Sequence, residues 1–212
     1  MPKLKKPHAV EPVAPELARP DWVVLGLALA GLALAGYLSA LKLGGNQAFL
    51  CRDGSGCDLV QASRYALLAG VPTAMWGAGV YLAIAVLAWI PRTTRRWQAA
   101  FMLVSGAVAF SFYLTYISIF VIGATCPYCL ASGGIAVALL VAMVWRRPPP
   151  QGRAAAAYKP RRLAGLGITT GIVTVLLGAF IFAADFSVPG DYQVALARHL
   201  AKNQAIFYGA FW

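Results

Sequence analysis

The chain has 212 residues, of which 60% are hydrophobic and only 12% are charged, and its mean hydropathy is +0.68. This composition excludes a soluble globular domain, and the length excludes a single membrane helix, so a polytopic membrane protein is the class that remains. The formal net charge of +11 is concentrated in a few short segments, which favours a membrane topology signal over nucleic-acid binding.

Five apolar stretches are long enough to cross a bilayer, which takes about 20 helical residues. The first could be a signal peptide, but the 21 residues before it and its own length favour a retained anchor. The second is close to the lower length limit. The stretches are Trp22 to Leu43, Ala74 to Ile90, Gln98 to Gly123, Cys126 to Trp145, and Leu163 to Ala184. We therefore predict an all-α polytopic membrane protein, in which a four-helix transmembrane bundle is followed by a fifth transmembrane helix.

The basic residues orient these stretches. Thirteen of the 18 Lys and Arg residues lie before the first stretch, between the second and third, and between the fourth and fifth. Lys and Arg in short loops accumulate on the cytoplasmic side, so we expect the N-terminus in the cytoplasm and all four cysteines outside. The predicted organisation is a cytoplasmic tail over residues 1–21, a four-helix unit over 22–145, a cytoplasmic linker over 146–162, a fifth helix over 163–184, and an exterior segment over 185–212.

The exterior segment changes character after the fifth helix. Tyr192 to Lys202 has helical apolar spacing, and Ala205 to Trp212 is an aromatic run of the β type. A polar helix followed by such a strand resembles the opening of a thioredoxin-like domain, so we expect a fusion truncated before that domain's Cys-x-x-Cys. The competing interpretation is a short tail whose aromatic residues lie at the membrane interface.

Cys126 and Cys129 form a Cys-x-x-Cys pair at the start of the fourth stretch. We expect Thr125 to cap this helix, which would place Cys126 in the first turn, where free N–H groups and the helix dipole favour a thiolate. Cys129 would lie on the same face, about 4.5 Å deeper along the axis. This arrangement is typical of disulfide oxidoreductases rather than of structural cross-links.

Cys51 and Cys57 lie in a Gly-rich polar loop, Gly44 to Thr73, whose turn-forming residues would let Cys57 swing towards Cys126. A static structural disulfide is one alternative for this pair. A zinc site made of all four thiolates is another, although no His is nearby and exterior cysteines tend to oxidise. Four cysteines allow three pairings, and the sequence leaves the choice open.

A series of spaced motifs runs through the four-helix unit. It consists of Cys51, the run Asp53 to Asp58 that contains Cys57, Ser63, Gly70-Val71-Pro72 with Gly77 and Tyr81, and Cys126-Pro127-Tyr128-Cys129. Together, over about Trp22 to Trp145, these motifs resemble the bacterial branch of the vitamin K epoxide reductase family. The resemblance implies a four-helix bundle in the bacterial inner membrane that binds a quinone near its exterior face, with a fifth helix leading to a thioredoxin-like partner domain.

The resemblance also implies an activity and a residue order. The protein would oxidise a thioredoxin-like partner, fused or supplied in trans, and pass two electrons to a quinone of the ubiquinone, menaquinone, or plastoquinone or phylloquinone type. The partner's dithiol would attack the Cys51–Cys57 disulfide at Cys51, the freed Cys57 would attack Cys126, and Cys129 would deliver the electrons. The vitamin K epoxide activity of animal relatives is not implied.

Three further residues are candidates for quinone contacts. Ser63 matches the family's polar residue near the substrate and could donate a hydrogen bond to a quinone oxygen; the alternative is a helix cap or turn hydroxyl. Phe110 and Tyr113 on the third stretch could line an apolar pocket for a flat ring; the alternative is packing or lipid contact. Two other function classes compete with the enzyme: a non-catalytic membrane scaffold with two structural disulfides, and a metal-binding membrane subunit.

Overall fold

The computed structural model describes residues 20–44, 48–49, 51, 55–91, 93–147, 160–184 and 199. Within them the chain forms six α-helices: α1 (Trp22–Leu43), α2 (Gly56–Ala62), α3 (Thr73–Trp89), α4 (Thr94–Tyr116), α5 (Pro127–Trp145) and α6 (Pro160–Ala184). The predicted N-terminal tail, most of the linker and nearly all of the exterior segment lie outside the described residues.

Two short irregular connections complete the architecture. A 3-10 turn (Arg64–Ala66) and an antiparallel hairpin of β1 (Leu67–Leu68) and β2 (Val71–Pro72) join α2 to α3. A π-helical segment (Ile117–Ile122) continues α4 towards the start of α5. The loop predicted over Gly44 to Thr73 therefore contains a helix and a hairpin of its own.

Four helices are long and apolar enough to cross a membrane: α1, α5, α6, and α4 together with its π-helical extension. The second predicted span, Ala74 to Ile90, corresponds to α3, which has 17 residues, or about 26 Å of helix against a hydrocarbon thickness of about 30 Å. It runs antiparallel along α1, because Tyr81 packs on Gly31 and the Asp21 amide donates to the Ala88 carbonyl at 3.3 Å. The prediction of an all-α polytopic membrane protein is confirmed.

The core of the bundle lies between α1, α3, α4 and α5, where Ala28, Ile84, Val104 and Leu139 are fully buried. The remaining long helix, α6, packs on the outer side of α4 through small residues. A Cβ on Gly106 would lie 2.8 Å from Thr174 Oγ1, so the two backbones approach closely there. The arrangement is thus a four-helix unit with a fifth helix against one of its members.

The two ends of the bundle differ in chemistry. All four cysteines lie at one end, which we call the cysteine end. The opposite end exposes Trp22, Trp89 and Trp145, and we call it the tryptophan end. There Trp22 and Trp89 pack edge to face at 6.0 Å between ring centroids. Such an aromatic girdle is typical of a membrane–water interface.

Candidate functional site

The four cysteines form one cluster at the cysteine end. Cys51, Cys57 and Cys126 are 6%, 2% and 1% exposed, and Cys129 packs against them. Cys51 and Cys57 are joined by a disulfide with a Cα–Cα distance of 5.3 Å, whereas Cys126 and Cys129 are free thiols whose sulfurs lie 2.7 Å apart. One dithiol is therefore oxidised and its neighbour is reduced, in the pairing that the family resemblance implies.

The start of α5 differs from our expectation. Thr125 does not cap the helix; Cys126 is the N-cap, with φ −109° and ψ 110°, and its Sγ accepts a hydrogen bond from the Cys129 amide at 3.3 Å. The physical reason is Pro127, which is favoured at the first helical position and pushes the preceding residue out of the helical region. The Cys126 sulfur thus occupies the position where a capping oxygen normally accepts backbone N–H groups.

This position changes the acidity of Cys126, which lies just outside the α5 span. The pKa of its thiol is lowered from 9.0 to about 7, chiefly because the Cys129 thiol donates a hydrogen bond to it. Burial opposes this shift, and the backbone amides of Cys129 and Tyr128 reinforce it. At neutral pH a large fraction of Cys126 is thiolate, and a sulfur of low pKa is also a good leaving group in thiol–disulfide exchange.

Cys57 of the second cysteine pair lies on α2, within the stretch that was predicted to be a loop. Ser55 is the N-cap and accepts a hydrogen bond from the Asp58 amide at 3.4 Å, so Cys57 lies in the first helical turn. Cys57 already lies in the same buried cluster as Cys126, so contact between these two residues does not require the expected swing, which stays a prediction. The Ser-x-x-Asp pattern is a capping signal that could have revealed this helix.

Ser63 lies where α2 ends. Its hydroxyl donates to the Val60 carbonyl at 2.7 Å, which is the turn role weighed as the alternative. A serine hydroxyl carries one proton, so donation to a quinone oxygen requires this hydrogen bond to be exchanged. The quinone role of Ser63 stays a prediction.

The two predicted aromatic contacts lie at the junction of α4 and α6. Phe110 and Tyr113 are each 6.5 Å, centroid to centroid, from Phe182 of α6, and Phe110 stacks parallel to it. Tyr65, in the 3-10 turn that comes after Ser63, packs edge to face on the same Phe182 ring at 5.4 Å. Both predicted residues thus have packing partners, and their quinone role is also still a prediction. No pattern in the sequence indicated that Tyr65 and Phe182 pack together with Phe110 and Tyr113.

The orientation of α4 separates these rings from the face that meets α5. A Cβ on Gly133 of α5 would lie 3.6 Å from Ser111 Cβ, so the Ser111 side of α4 faces α5. Phe110 is about 100° around the helix from Ser111. The Phe110 ring, which stacks on Phe182 of α6, therefore lies off the side of α4 that faces α5.

Metal binding was a further alternative for the cysteines. Across the described parts of the chain, no group of three or more His, Cys, Asp or Glu side chains could hold a metal ion. The Cys51–Cys57 disulfide also removes two of the four thiolates that a zinc site would use.

Comparison with known proteins agrees with this geometry. The sequence model of the vitamin K epoxide reductase family matches residues 22–145, which include α1 to α5 and all four cysteines. The chain belongs to the vitamin K epoxide reductase family. The resemblance drawn from the motifs is therefore confirmed, and α6 lies beyond the part that this family model matches.

A curated relative extends further along the chain. The protein is 26% identical over 205 residues to "Thiol-disulfide oxidoreductase LTO1" of Arabidopsis thaliana. The match covers 83% of this vitamin K epoxide reductase family member and 52% of the plant protein. The chain thus spans about half the length of that relative.

Proposed function

We propose that the chain is a membrane thiol oxidoreductase that oxidises a thioredoxin-like partner, fused or separate, and passes two electrons to a membrane quinone. Its role would be to support disulfide formation in exported proteins. The observation that carries this proposal is the oxidised Cys51–Cys57 pair beside the reduced Cys126 and Cys129 in one buried cluster. Family membership and the name of the plant relative support thiol–disulfide chemistry.

The electrons enter at the Cys51–Cys57 disulfide. A partner thiolate attacks Cys51 Sγ, the Cys51–Cys57 bond breaks, and the electron pair stays on Cys57 Sγ. Cys57 then attacks Cys126 Sγ of a Cys126–Cys129 disulfide, and Cys129 leaves as a thiolate. Each step exchanges one S–S bond for another, so no outside oxidant is needed.

The next steps restore the Cys51–Cys57 disulfide. The partner's second thiolate attacks the partner sulfur bound to Cys51, which completes the partner's disulfide and frees Cys51. Cys51 next attacks Cys57, which restores the Cys51–Cys57 disulfide and releases Cys126. Two electrons have then moved to Cys126 and Cys129; the Cys51–Cys57 disulfide beside free Cys126 and Cys129 thiols supports this order.

The reduced pair fits a two-electron acceptor. A quinone, when bound, takes up two electrons and two protons, and Cys126 and Cys129 together hold that number of each when both are thiols. Cys129 is the less buried of the two, and it delivers the electrons while Cys126 closes the disulfide. Ser63, Phe110 and Tyr113 remain the predicted contacts for the ring and its oxygens.

The side of the membrane is also part of the proposal. The loops at the tryptophan end carry most of the basic residues, which supports a cytoplasmic location for that end and for the N-terminus. The cysteine end would then lie on the exterior, or periplasmic, face of a bacterial inner membrane. Disulfides persist in that compartment, as the oxidised Cys51–Cys57 pair requires.

The test is quinone reduction by the detergent-purified protein, supplied with a reduced thioredoxin-like protein. We expect Cys129→Ser and Cys57→Ser each to abolish turnover, and a reduced partner that lacks its second cysteine to remain joined to Cys51 by a mixed disulfide once it has attacked the Cys51–Cys57 bond. A folded, unaltered protein that reduces none of several quinones would overturn the proposal. The scaffold alternative requires two static disulfides, whereas Cys126 and Cys129 are free thiols.

A further inference from the structure

A backbone contact that only glycine permits lies between the two cysteine pairs. A Cβ on Gly56 would lie 2.7 Å from the Thr125 carbonyl oxygen and 3.1 Å from the Thr125 nitrogen, whereas ordinary van der Waals contact begins at 3.4 Å. Both obstructing atoms belong to the backbone, so no side-chain rotation relieves the overlap. Gly56 directly precedes Cys57, and Thr125 directly precedes Cys126. The contact therefore fixes the separation of the two residues that exchange electrons inside the protein.

The Thr125 side of this contact is fixed by hydrogen bonds between Ser118 and Ala124, the residue before Thr125. Ser118, a buried residue of the π-helical segment, donates from its hydroxyl to the Ala124 carbonyl at 2.6 Å. The Ser118 carbonyl in turn accepts a hydrogen bond from the Ala124 amide at 3.0 Å. The chain turns between them at Gly123, whose φ is +74°. π-helical turns occur frequently at functional sites, and this one presents a fixed backbone to α2.

The Gly56 side is held by the first turn of α2. Ser55 accepts the Asp58 amide with its side chain and the Leu59 amide with its carbonyl, at 3.4 and 3.0 Å. The turn that contains Gly56 and Cys57 is therefore ordered independently of the Cys51–Cys57 disulfide. The first turn of α2 and the segment before α5 are therefore both held in place, and they meet at Gly56, which has no side chain.

We propose that Gly56 is a positioning residue for the transfer of electrons from Cys57 to Cys126. In this step the Cys57 thiolate attacks Cys126 Sγ, the Cys57–Cys126 bond forms, the Cys126–Cys129 bond breaks, and Cys129 takes the electron pair. The direction of transfer rests on the proposed function. The proximity of Cys57 and Cys126 does not.

The size of the effect follows from the geometry. An alanine at position 56 must move away from the Thr125 carbonyl by about 0.7 Å to reach 3.4 Å, and the Cys57 backbone moves with it. A misplacement of about 1 Å can slow a reaction between positioned groups by about 100-fold, so we expect Gly56→Ala to weaken the exchange by about tenfold or more.

The experiment isolates this one step. A Cys51→Ser, Cys129→Ser double variant keeps only Cys57 and Cys126, and its Cys57–Cys126 disulfide is equilibrated with glutathione to obtain the effective concentration of the two thiols. Adding Gly56→Ala should lower that value about tenfold or more. Adding Gly134→Ala, at a position where a Cβ meets nothing within 4 Å, should leave it unchanged. An effective concentration unaffected by Gly56→Ala would overturn the inference.

A second variant covers the case in which Gly56→Ala does not fold. Ser118→Ala removes the hydroxyl that holds Ala124 and should also lower the effective concentration, whereas dithiothreitol should still reduce the Cys51–Cys57 disulfide of the otherwise unaltered chain at its original rate. No change with Ser118→Ala would count against the inference in that case. The measurement uses neither quinone nor partner, so failure of quinone turnover and failure of this inference are told apart.

Discussion

Removal of the Cys129 thiol should raise the pKa of Cys126. The hydrogen bond from Cys129 is the largest cause of the shift of Cys126 from 9.0 to about 7, and Cys129→Ala deletes it. If the pKa returned to 9.0, the thiolate fraction at pH 7 would fall from about one half to about one hundredth, or roughly fifty-fold. The backbone amides of Tyr128 and residue 129 remain as donors, so the fall should be somewhat smaller.

The assay follows alkylation of Cys126 by iodoacetamide as a function of pH, while the Cys51–Cys57 disulfide is kept intact. The rate rises with pH as the thiolate forms, so its midpoint reports the pKa. We expect a midpoint near 7 in the Cys126 and Cys129 dithiol and a higher midpoint in Cys129→Ala. The midpoint is the better readout than the rate at one pH, because a thiolate of lower pKa is also intrinsically less nucleophilic.

Cys129→Ser is the matched control for this prediction. A serine hydroxyl can still donate to the Cys126 sulfur, so its midpoint should lie between those of the unaltered protein and Cys129→Ala. Burial of Cys126 slows alkylation and raises the pKa to a similar extent in all three proteins, so it does not account for a difference between their midpoints. The same midpoint in the unaltered protein and Cys129→Ala would show that the Cys129 thiol does not set the acidity of Cys126.

The close helix contacts give two further predictions. A Cβ on Gly31 would overlap the Tyr81 ring, so Gly31→Ala should destabilise the bundle by about 1–3 kcal/mol and lower its melting temperature in detergent. Gly26→Ala is the control, because a Cβ there meets nothing within 4 Å and should leave the melting temperature unchanged. Equal melting temperatures for the two variants would refute this prediction. A Cβ on Gly178 would overlap the Phe110 ring of α4, so Gly178→Ala should speed backbone hydrogen exchange in α6. Gly165→Ala, where a Cβ meets nothing within 4 Å, should leave the exchange rate unchanged. An unchanged exchange rate in Gly178→Ala would show that α6 does not depend on this contact.

The membrane helices were predictable because each is a long apolar run, and the structure changes only their ends. The start of α5 was misplaced because Thr125 is a good capping residue by type, whereas the decisive signal was the proline at position 127. α2 was missed because it has seven residues and contains no apolar stripe, although its capping pattern was readable. The pairing of the cysteines came from family resemblance alone. The approach of Gly56 to Thr125 joins segments nearly 70 residues apart, and no local pattern encodes it.

The redox order of the two dithiols should depend on pH in a way that follows from Cys126. A depressed thiol pKa stabilises the reduced form, so it makes the Cys126–Cys129 disulfide the stronger oxidant. Relative to an ordinary thiol of pKa 9.0, this advantage is complete above pH 9 and is lost as the pH falls through 7.

Between these limits the ionisation of Cys126 by itself contributes a shift of up to about 100-fold towards reduced Cys126 and Cys129, since two units of pKa separate the two values. Acid quenching of redox-buffered protein at a series of pH values, followed by mass analysis of the two pairs, measures that shift. A partition that moves towards reduced Cys51 and Cys57 as the pH rises from 7 to 9 would contradict the assignment.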